Sequence, residues 1–212
     1  MIIVDRKHIK EYIEDTLNSY RIKPKTIEEK LYHHNSSYKD GASIIKNGIL
    51  SLEQLNNKKI IQLSEEQLKL YDDTSSHVNG ADGISLSIVG LTDLYRDEDE
   101  YDPFVPDSLD IIVSKEVQAR RSSTHYGNEF IAKTKISSKL FESIDVRLLK
   151  LIDRIKYDSD TIKLIENYNH LLDIAKTIKL KELDISIREM SGENLTLDIE
   201  RLSDSPKVFV KI

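Results

Sequence analysis

The chain has 212 residues, of which 39% are hydrophobic and 32% are charged, and its formal net charge is −6. This length and composition suit one folded domain with appended segments, and they exclude wholesale disorder. The chain contains no cysteine, which excludes disulfides, zinc–thiolate sites and a thiol nucleophile. The negative net charge has the wrong sign for a protein held to nucleic acid mainly by neutralising phosphates.

The sequence carries no sign of a membrane segment. No apolar run approaches the roughly 18 residues that a spanning helix needs. The first residues, MIIVDRKHIKEYIEDT, become charged too early for a signal peptide. We therefore expect a cytoplasmic protein without a membrane partner, whose chemistry comes from histidines, carboxylates, hydroxyls or tyrosines.

The first part of the chain alternates between helical and extended patterns. Apolar residues at helical spacing predict a helix within residues 6–20, and a second short helix is predicted over residues 25–32. The chain is expected to become extended at Leu31. The next helix is predicted over residues 38–47, because the following Gly48 supplies the left-handed conformation that ends a helix.

The middle of the chain mixes short elements with a long polar segment. Residues 51–56 indicate a turn, residues 59–63 a short strand, and residues 64–71 a capped helix. Residues 83–89 alternate apolar and hydroxyl side chains, which predicts a strand buried on one face. Residues 92–110 contain eight acidic residues and a single base, so we predict a long exposed loop.

The last third of the chain changes from short strands to helices. Strands are predicted over residues 111–113, 130–132 and 144–146, with a connector rich in Arg and Ser after the first of them. Residues 147–181 repeat apolar positions every 3.6 residues, which predicts two helices forming an appended hairpin. The tail segments LTLDIERL and KVFVKI are separated by a turn sequence and are predicted to pair as a β-hairpin.

These patterns predict three regions. Residues 1–30 form an N-terminal helical segment, and residues 31–146 form the core. Residues 147–212 form an extension that contains the helical hairpin and the β-hairpin.

The motif LYHHNSSYKDGASIIKNGILS at residues 31–51 predicts a strand, a turn, a helix and a glycine stop. It resembles the opening motif of the ADP-ribosyltransferase-like family, in which Leu-Tyr-His precedes a helix that ends in Asn-Gly-Ile or Asn-Gly-Leu. His33 occupies the family's histidine position. Because adjacent side chains of a strand face opposite ways, a shift of one residue would exchange the roles of His33 and His34.

Two further motifs follow in the family's order. The sequence GISLS resembles the second motif, a strand bearing hydroxyls, with Ser85 and Ser87 as the matching residues. The sequence YGNEFIAKTKISSKLFESIDV resembles the third motif, in which a glutamate, here Glu129, begins a strand. The chain is similar to the branch led by His and Glu, which includes DNA-modifying toxins of the DarT type and RNA 2′-phosphotransferases.

The resemblance implies an α+β fold with split, mixed and antiparallel β-sheets flanked by helices, and it implies NAD as a substrate. Glu129 would bond the 2′-hydroxyl of the nicotinamide ribose and favour the oxocarbenium-like transition state, whose positive charge needs an anionic neighbour. His33 would bond the ribose hydroxyls on the adenosine side. The expected catalytic residues are therefore Glu129 and His33.

The resemblance also implies contacts to the rest of NAD. Asn35 would support the edge of the strand that carries His33. Ser85 and Ser87 would lie near the nicotinamide pocket.

Aromatic and basic residues complete the expected NAD site. The family's nicotinamide is held between two aromatic rings, for which Tyr95 and Tyr101 are the candidates. Arg121, next to Arg120, is a candidate to contact a phosphate of NAD or of a nucleic-acid acceptor, and an ordinary surface pair is the alternative interpretation. The acidic run at residues 97–102 is interpreted as a solvated loop, so no metal site is expected.

The function implied is an NAD-dependent mono-ADP-ribosyltransferase that modifies a macromolecular acceptor, as a toxin or effector in bacterial or phage conflict. The acidic loop at residues 92–110 favours a basic protein over nucleic acid as the acceptor. A cognate antitoxin or a host target is the expected partner. Two alternatives remain: an NAD glycohydrolase or RNA 2′-phosphotransferase-like enzyme on the same fold, and a non-enzymatic inhibitor that acts by binding.

Overall fold

The computed structural model describes residues 1–22, 32–74, 83–88, 108–121, 129–155, 157–191 and 195–211. Within these ranges the chain is mixed α+β, with one nine-stranded sheet, a separate two-stranded sheet and flanking helices. The strands are β1 (Ile2–Val4), β2 (Arg21–Ile22), β3 (Tyr32–Ser37), β4 (Ile84–Ile88), β5 (Ser108–Val113), β6 (Arg120–Arg121), β7 (Glu129–Ala132), β8 (Phe141–Val146), β9 (Ser186–Glu189), β10 (Leu195–Leu197) and β11 (Val208–Val210). The α-helices are α1 (Ile9–Ser19), α2 (Tyr38–Asn47), α3 (Leu52–Asn57), α4 (Glu65–Thr74), α5 (Leu148–Arg154), α6 (Asp158–Leu180) and α7 (Ile199–Asp204).

The large sheet has the strand order β2-β10-β9-β8-β5-β3-β4-β7-β6. Its neighbouring strands are antiparallel except β8 and β9, which are parallel. The small sheet pairs β1 with β11 in parallel. The N-terminal strand and the last strand of the chain therefore lie side by side.

The two faces of the large sheet differ in polarity, because side chains alternate along each strand. Ile111, Ile144 and Ile187 are aligned across β5, β8 and β9, and each is fully buried in the hydrophobic core. The next row holds Asp110 on β5, Asp145 on β8 and Arg188 on β9. One face therefore carries the core, and the other face is polar.

Helix α2 lies between the core face of the sheet and α6. A Cβ atom on Gly41 would come within 2.4 Å of Ile174 Cδ1 on α6 and 3.2 Å of Leu109 Cδ2 on β5. Helix α6 is itself buried along most of its length, with Leu164, Tyr168 and other apolar residues in the core. The close approach at Gly41 fixes the distance between α2 and its two neighbours.

Several predicted elements are confirmed. The helix predicted over residues 38–47 is α2, and Gly48 ends it with φ of +82°. The hydroxyl-bearing strand predicted over residues 83–89 is β4, and the two helices predicted after Arg147 are α5 and α6.

Two short predictions were wrong. The turn predicted over residues 51–56 is the helix α3, which a reciprocal capping box between Ser51 and Gln54 stabilises. The strand predicted over residues 59–63 is not formed; this segment leaves α3 through Lys59, whose φ is +56°. A residue in the left-handed region breaks the extended geometry that a strand needs.

The predicted C-terminal β-hairpin was also wrong. Asp198 caps the N-terminus of α7, so the alternating pattern of LTLDIERL stops at Leu197. Strand β10 pairs with β9 and β2, whereas β11 pairs with β1. The two predicted arms of the hairpin therefore belong to different sheets.

The sheet is continuous among the described strands, which differs from the predicted split sheets. The connection between β3 and β4 is nevertheless short, because only Tyr32 with Ile88 and His33 with Ser87 are paired. By contrast, β3 and β5 are paired along six positions. The sheet therefore has a short joint between β3 and β4.

Other predicted segments are only partly within the described ranges. Residues 25–31 and most of the predicted acidic loop lie outside them, although Ser108 to Asp110 belong to β5 rather than to a loop. In residues 147–212, β9 and β10 extend the large sheet, and α6 packs on α2. No helix of the described residues combines the length and apolar character that crossing a bilayer requires.

Candidate functional site

The three sequence motifs meet on adjacent strands. His33 on β3 is aligned with Ser87 on β4, and Ser87 is aligned with Glu129 on β7. One residue from each motif therefore falls in a single row across three strands. In the sequence these residues are separated by 54 and 42 positions, so their alignment is a product of the fold.

The two adjacent histidines face opposite sides of the sheet. Aligned residues of antiparallel strands share a face, so the side chains of His33 and Ser87 lie on the same side. His34 is aligned with Ile111, a core residue, and so lies on the helix side. His33 is only 9% exposed, and Ser87 is half-buried.

His34 forms a hydrogen bond at the joint between β3 and β4. Its Nδ1 atom lies 3.0 Å from the carbonyl oxygen of Ser85. A carbonyl can only accept, so Nδ1 carries the proton and Nε2 is left as an acceptor. Burial lowers the pKa of His34 below its ordinary value of 6.5, so the imidazole is neutral at pH 7.

A cavity of about 230 Å³ lies beside His34. Its apolar wall comes from α2, α3 and the residues that follow each of them. Its polar side chains come from β3 and α2 and are His34, Ser36, Asp40, Ser43 and Asn47. The cavity thus combines an apolar wall with hydroxyl, carboxylate, amide and imidazole groups.

The sequence after β3 shapes this cavity. The hydroxyl of Ser37 caps α2 by accepting from the backbone N–H of Asp40, at 3.2 Å. At the other end, Gly48 allows the chain to leave α2 and pair Ile49 with Ile136. A Cβ atom on Gly48 would lie 2.3 Å from the carbonyl oxygen of Ile136 and 2.8 Å from Lys135 Cε, so only glycine fits.

Two buried ion pairs lie on the polar face of the sheet. Arg147 Nη1 donates to Asp110 Oδ2 at 2.8 Å, and Arg188 donates to both oxygens of Asp145 at 2.8 and 2.6 Å. Asp110 and Asp145 are aligned across β5 and β8, and each is 3% exposed. Burial raises the pKa of Asp145, whereas the bonds from Arg188 oppose this shift.

The sequence reasoning missed these acids. The available signal was one aspartate in each of two otherwise apolar strands, SLDIIV and FESIDV. A charged side chain in such a strand is rarely buried unless it is paired. The partners Arg147 and Arg188 lie 37 and 43 residues away, so only the fold identifies them.

Asn35, predicted to support the strand edge, is tied to the first ion pair. Its Nδ2 atom donates to Asp110 Oδ1 at 3.1 Å and to Ser108 Oγ at 2.9 Å. The residue itself is exposed. Asn35 therefore connects the surface of the site to a buried charge.

The other predicted site residues are placed as follows. Ser85 is half-buried on β4, where its carbonyl binds His34. Arg121 is exposed on the edge strand β6 and is aligned with Phe130, one row away from Glu129. Tyr95 and Tyr101 lie outside the described residues, as does the side chain of Glu129.

The described residues contain no group of three or more histidines and carboxylates placed to hold a metal ion. The predicted acidic run at residues 97–102 is outside the described ranges.

Comparison of the chain with protein-family models, with curated proteins and with solved structures finds no match.

Proposed function

We propose that this protein is an NAD-dependent mono-ADP-ribosyltransferase. The observation that carries the proposal is the row formed by His33, Ser87 and Glu129 across β3, β4 and β7. Each of these residues belongs to a different one of the three motifs that resemble the ADP-ribosyltransferase-like family. His33 and Ser87 face the side of the sheet opposite the cavity beside His34, so in this proposal NAD spans the two faces where the pairing of β3 with β4 stops.

The cavity beside His34 is the proposed seat of the adenosine end of NAD. Asp40 and the Nε2 atom of neutral His34 accept hydrogen bonds from ribose hydroxyls, and the apolar wall covers the base. We assign the ribose-binding role predicted for His33 to His34, because His34 lines the cavity and His33 faces the other side of the sheet.

Glu129 is the proposed catalytic residue. As the bond between the nicotinamide nitrogen and C1′ breaks, nicotinamide leaves as a neutral molecule and positive charge develops on the ribose. A carboxylate stabilises this charge. The acceptor's nucleophile then bonds to C1′ and gives its proton to Glu129, so atoms and charge balance.

The diphosphate of NAD requires cationic partners. Arg121 is the cation predicted from the sequence. Lys135 is a second candidate, because its side chain passes Gly48, which lines the cavity. Both residues are exposed, so both can reach a ligand.

The proposed acceptor is a macromolecule, with a basic protein favoured by the acidic composition of residues 92–110. Transfer is tested by incubating the protein with cell lysate and NAD labelled on the adenylate phosphate. The wild type is expected to produce label that protease, rather than nuclease, releases from macromolecules. Glu129→Gln should lose this product, and the exposed control Glu116→Gln should keep it.

Other outcomes of the same experiment have defined meanings. Free ADP-ribose without labelled macromolecule indicates hydrolysis of NAD. Label released by nuclease indicates a nucleic-acid acceptor. No product from the wild type, with Glu129→Gln indistinguishable from it, contradicts the proposed function.

A further inference from the structure

The side-chain amide of Asn35 has a fixed orientation. Its NH₂ group donates to Asp110 and Ser108, as described above. A carboxylate paired with arginine can only accept hydrogen bonds, so the NH₂ end must face Asp110. The amide oxygen of Asn35 therefore points away from Asp110.

This orientation is set from the interior of the protein. Asp110 is almost fully buried, and its second oxygen accepts from Arg147 at 2.8 Å. The backbone N–H of Arg147 in turn donates to the hydroxyl of Tyr38 on α2, at 3.2 Å. Asp110 cannot turn away from Asn35 without breaking this buried ion pair with Arg147, which is costly.

The position of Asn35 also allows its side chain to contact a ligand. It is exposed on β3, two residues from His33, and side chains two residues apart on a strand share a face. That face holds the His33–Ser87 row, next to the proposed position of the nicotinamide ribose. An acceptor oxygen fixed there suits a ligand group that carries N–H donors.

We propose that the amide oxygen of Asn35 accepts a hydrogen bond from the carboxamide N–H of nicotinamide, and that Asp110 and Arg147 are the positioning residues that hold this orientation. The inference rests on the proposed function, because it takes NAD as the ligand. It makes the site selective for the amide of nicotinamide over the carboxylate of nicotinic acid, since that carboxylate offers no donor and is repelled by an acceptor oxygen.

A matched control exists in the neighbouring ion pair. Asp145 is aligned with Asp110, is equally buried and is paired with Arg188, but its oxygens accept from Arg188 and Ser143 and not from Asn35. Asp110→Asn and Asp145→Asn therefore perturb comparable buried pairs. In Asp110→Asn alone, the new amide can donate to Asn35, so the Asn35 amide can reverse and present its NH₂ group to the ligand.

The experiment compares the dissociation constants of NAD and of its nicotinic acid analogue for the wild type and both variants, with a thermal melt of each. The wild type is expected to prefer NAD by about tenfold, the typical value of one hydrogen bond. Asp110→Asn should abolish or reverse this preference, and Asp145→Asn should keep it even if its melting temperature falls. If the ratio of the two dissociation constants is the same in the wild type, Asp110→Asn and Asp145→Asn, the inference is overturned.

A second measurement is independent of NAD. The side-chain amide protons of Asn35 are expected to give two separate, protected NMR signals, which shift in Asp110→Asn and stay in place in Asp145→Asn. Unchanged signals in Asp110→Asn overturn the inference, whereas absence of NAD binding by the wild type contradicts the proposed function. If Asp110→Asn does not fold, Asn35→Ala at the exposed position must remove the preference for NAD.

Discussion

The Nδ1 atom of His34 lies 3.0 Å from the carbonyl oxygen of Ser85, just beyond the last paired residues of β3 and β4. This bond selects the neutral tautomer with Nε2 as the acceptor, and it holds the ring beside the cavity. His33, the preceding residue, faces the opposite side in a row with Ser87 and Glu129. The two histidines therefore have different surroundings and separable roles.

Replacing each histidine separately distinguishes these roles. We expect His34→Ala to weaken NAD binding about tenfold or more, because it removes an acceptor from the cavity wall. His33→Ala should change the affinity less, since His33 is not among the residues that line the cavity. Calorimetric titration with NAD measures both effects, and circular dichroism confirms folding. A larger loss for His33→Ala would return the ribose-binding role to His33.

The lowered pKa of His34 predicts a loss of stability at acid pH. In the unfolded chain His34 has the ordinary histidine pKa of about 6.5 and takes up a proton below that pH. The folded protein takes up this proton only when the pH falls through its lower pKa. Stability from this group is therefore complete above pH 6.5 and decreases between the two pKa values. Urea unfolding between pH 7.5 and 5 should show that the free energy of unfolding decreases less steeply with falling pH in His34→Gln than in the wild type. Identical slopes for the two proteins would contradict this prediction.

Gly48→Ala should destabilise the protein by about 2–3 kcal/mol. A φ of +82° is strained for any residue with a Cβ atom, and the added Cβ would lie 2.3 Å from a backbone oxygen. Gly41→Ala is the matched control. Its Cβ would meet Cδ1 and Cγ1 of the buried Ile174 at 2.4 and 2.9 Å, side-chain atoms that can shift more readily than a backbone oxygen, and the gain in helix propensity offsets part of that clash. Urea unfolding compares the two, and a cost for Gly48→Ala no larger than for Gly41→Ala would be inconsistent with the structure.

Removing one partner of the Asp145–Arg188 pair should be severe. Arg188→Met leaves a carboxylate that is 3% exposed and whose one remaining hydrogen-bond partner among the described residues is the Ser143 hydroxyl, at 2.9 Å; the expected cost is about 3–5 kcal/mol. Arg188→Met combined with Asp145→Leu should recover most of this loss, because no buried charge remains. Chemical denaturation of the wild type, the single variant and the double variant measures the loss in free energy of unfolding and its recovery. A double variant no more stable than Arg188→Met would refute this explanation.

Local signals were the part of the fold that the sequence predicted well. Helix α2 begins after a capping serine and ends at a glycine, and both signals lie within one turn of the helix ends. Helix α3 was missed because its six residues carry little apolar periodicity, although Ser51 and Gln54 formed a recognisable capping box. Local chemistry therefore determined these helices more than hydrophobic pattern did.

Long-range pairing was the part that the sequence could not predict. Strand β11 pairs with β1 at the other end of the chain, so an adjacent hairpin was the wrong interpretation of KVFVKI. The same limitation applies to His33 and His34, because their faces are set by the register of β3 against β5. The sequence shows the order of the three motifs. It does not show which side chains share a face of the sheet, because the pairing with distant strands determines that.

The most direct measurement of the central claim is release of nicotinamide from NAD by purified wild type, Glu129→Gln and the exposed control Glu116→Gln, in the presence of lysate proteins as acceptors. We expect nicotinamide release by the wild type and by Glu116→Gln, and a loss of about 100-fold or more in Glu129→Gln, in keeping with removal of a charge-stabilising catalytic group. Folded wild-type protein that neither binds NAD nor releases nicotinamide, or a Glu129→Gln variant as active as the wild type, would contradict it.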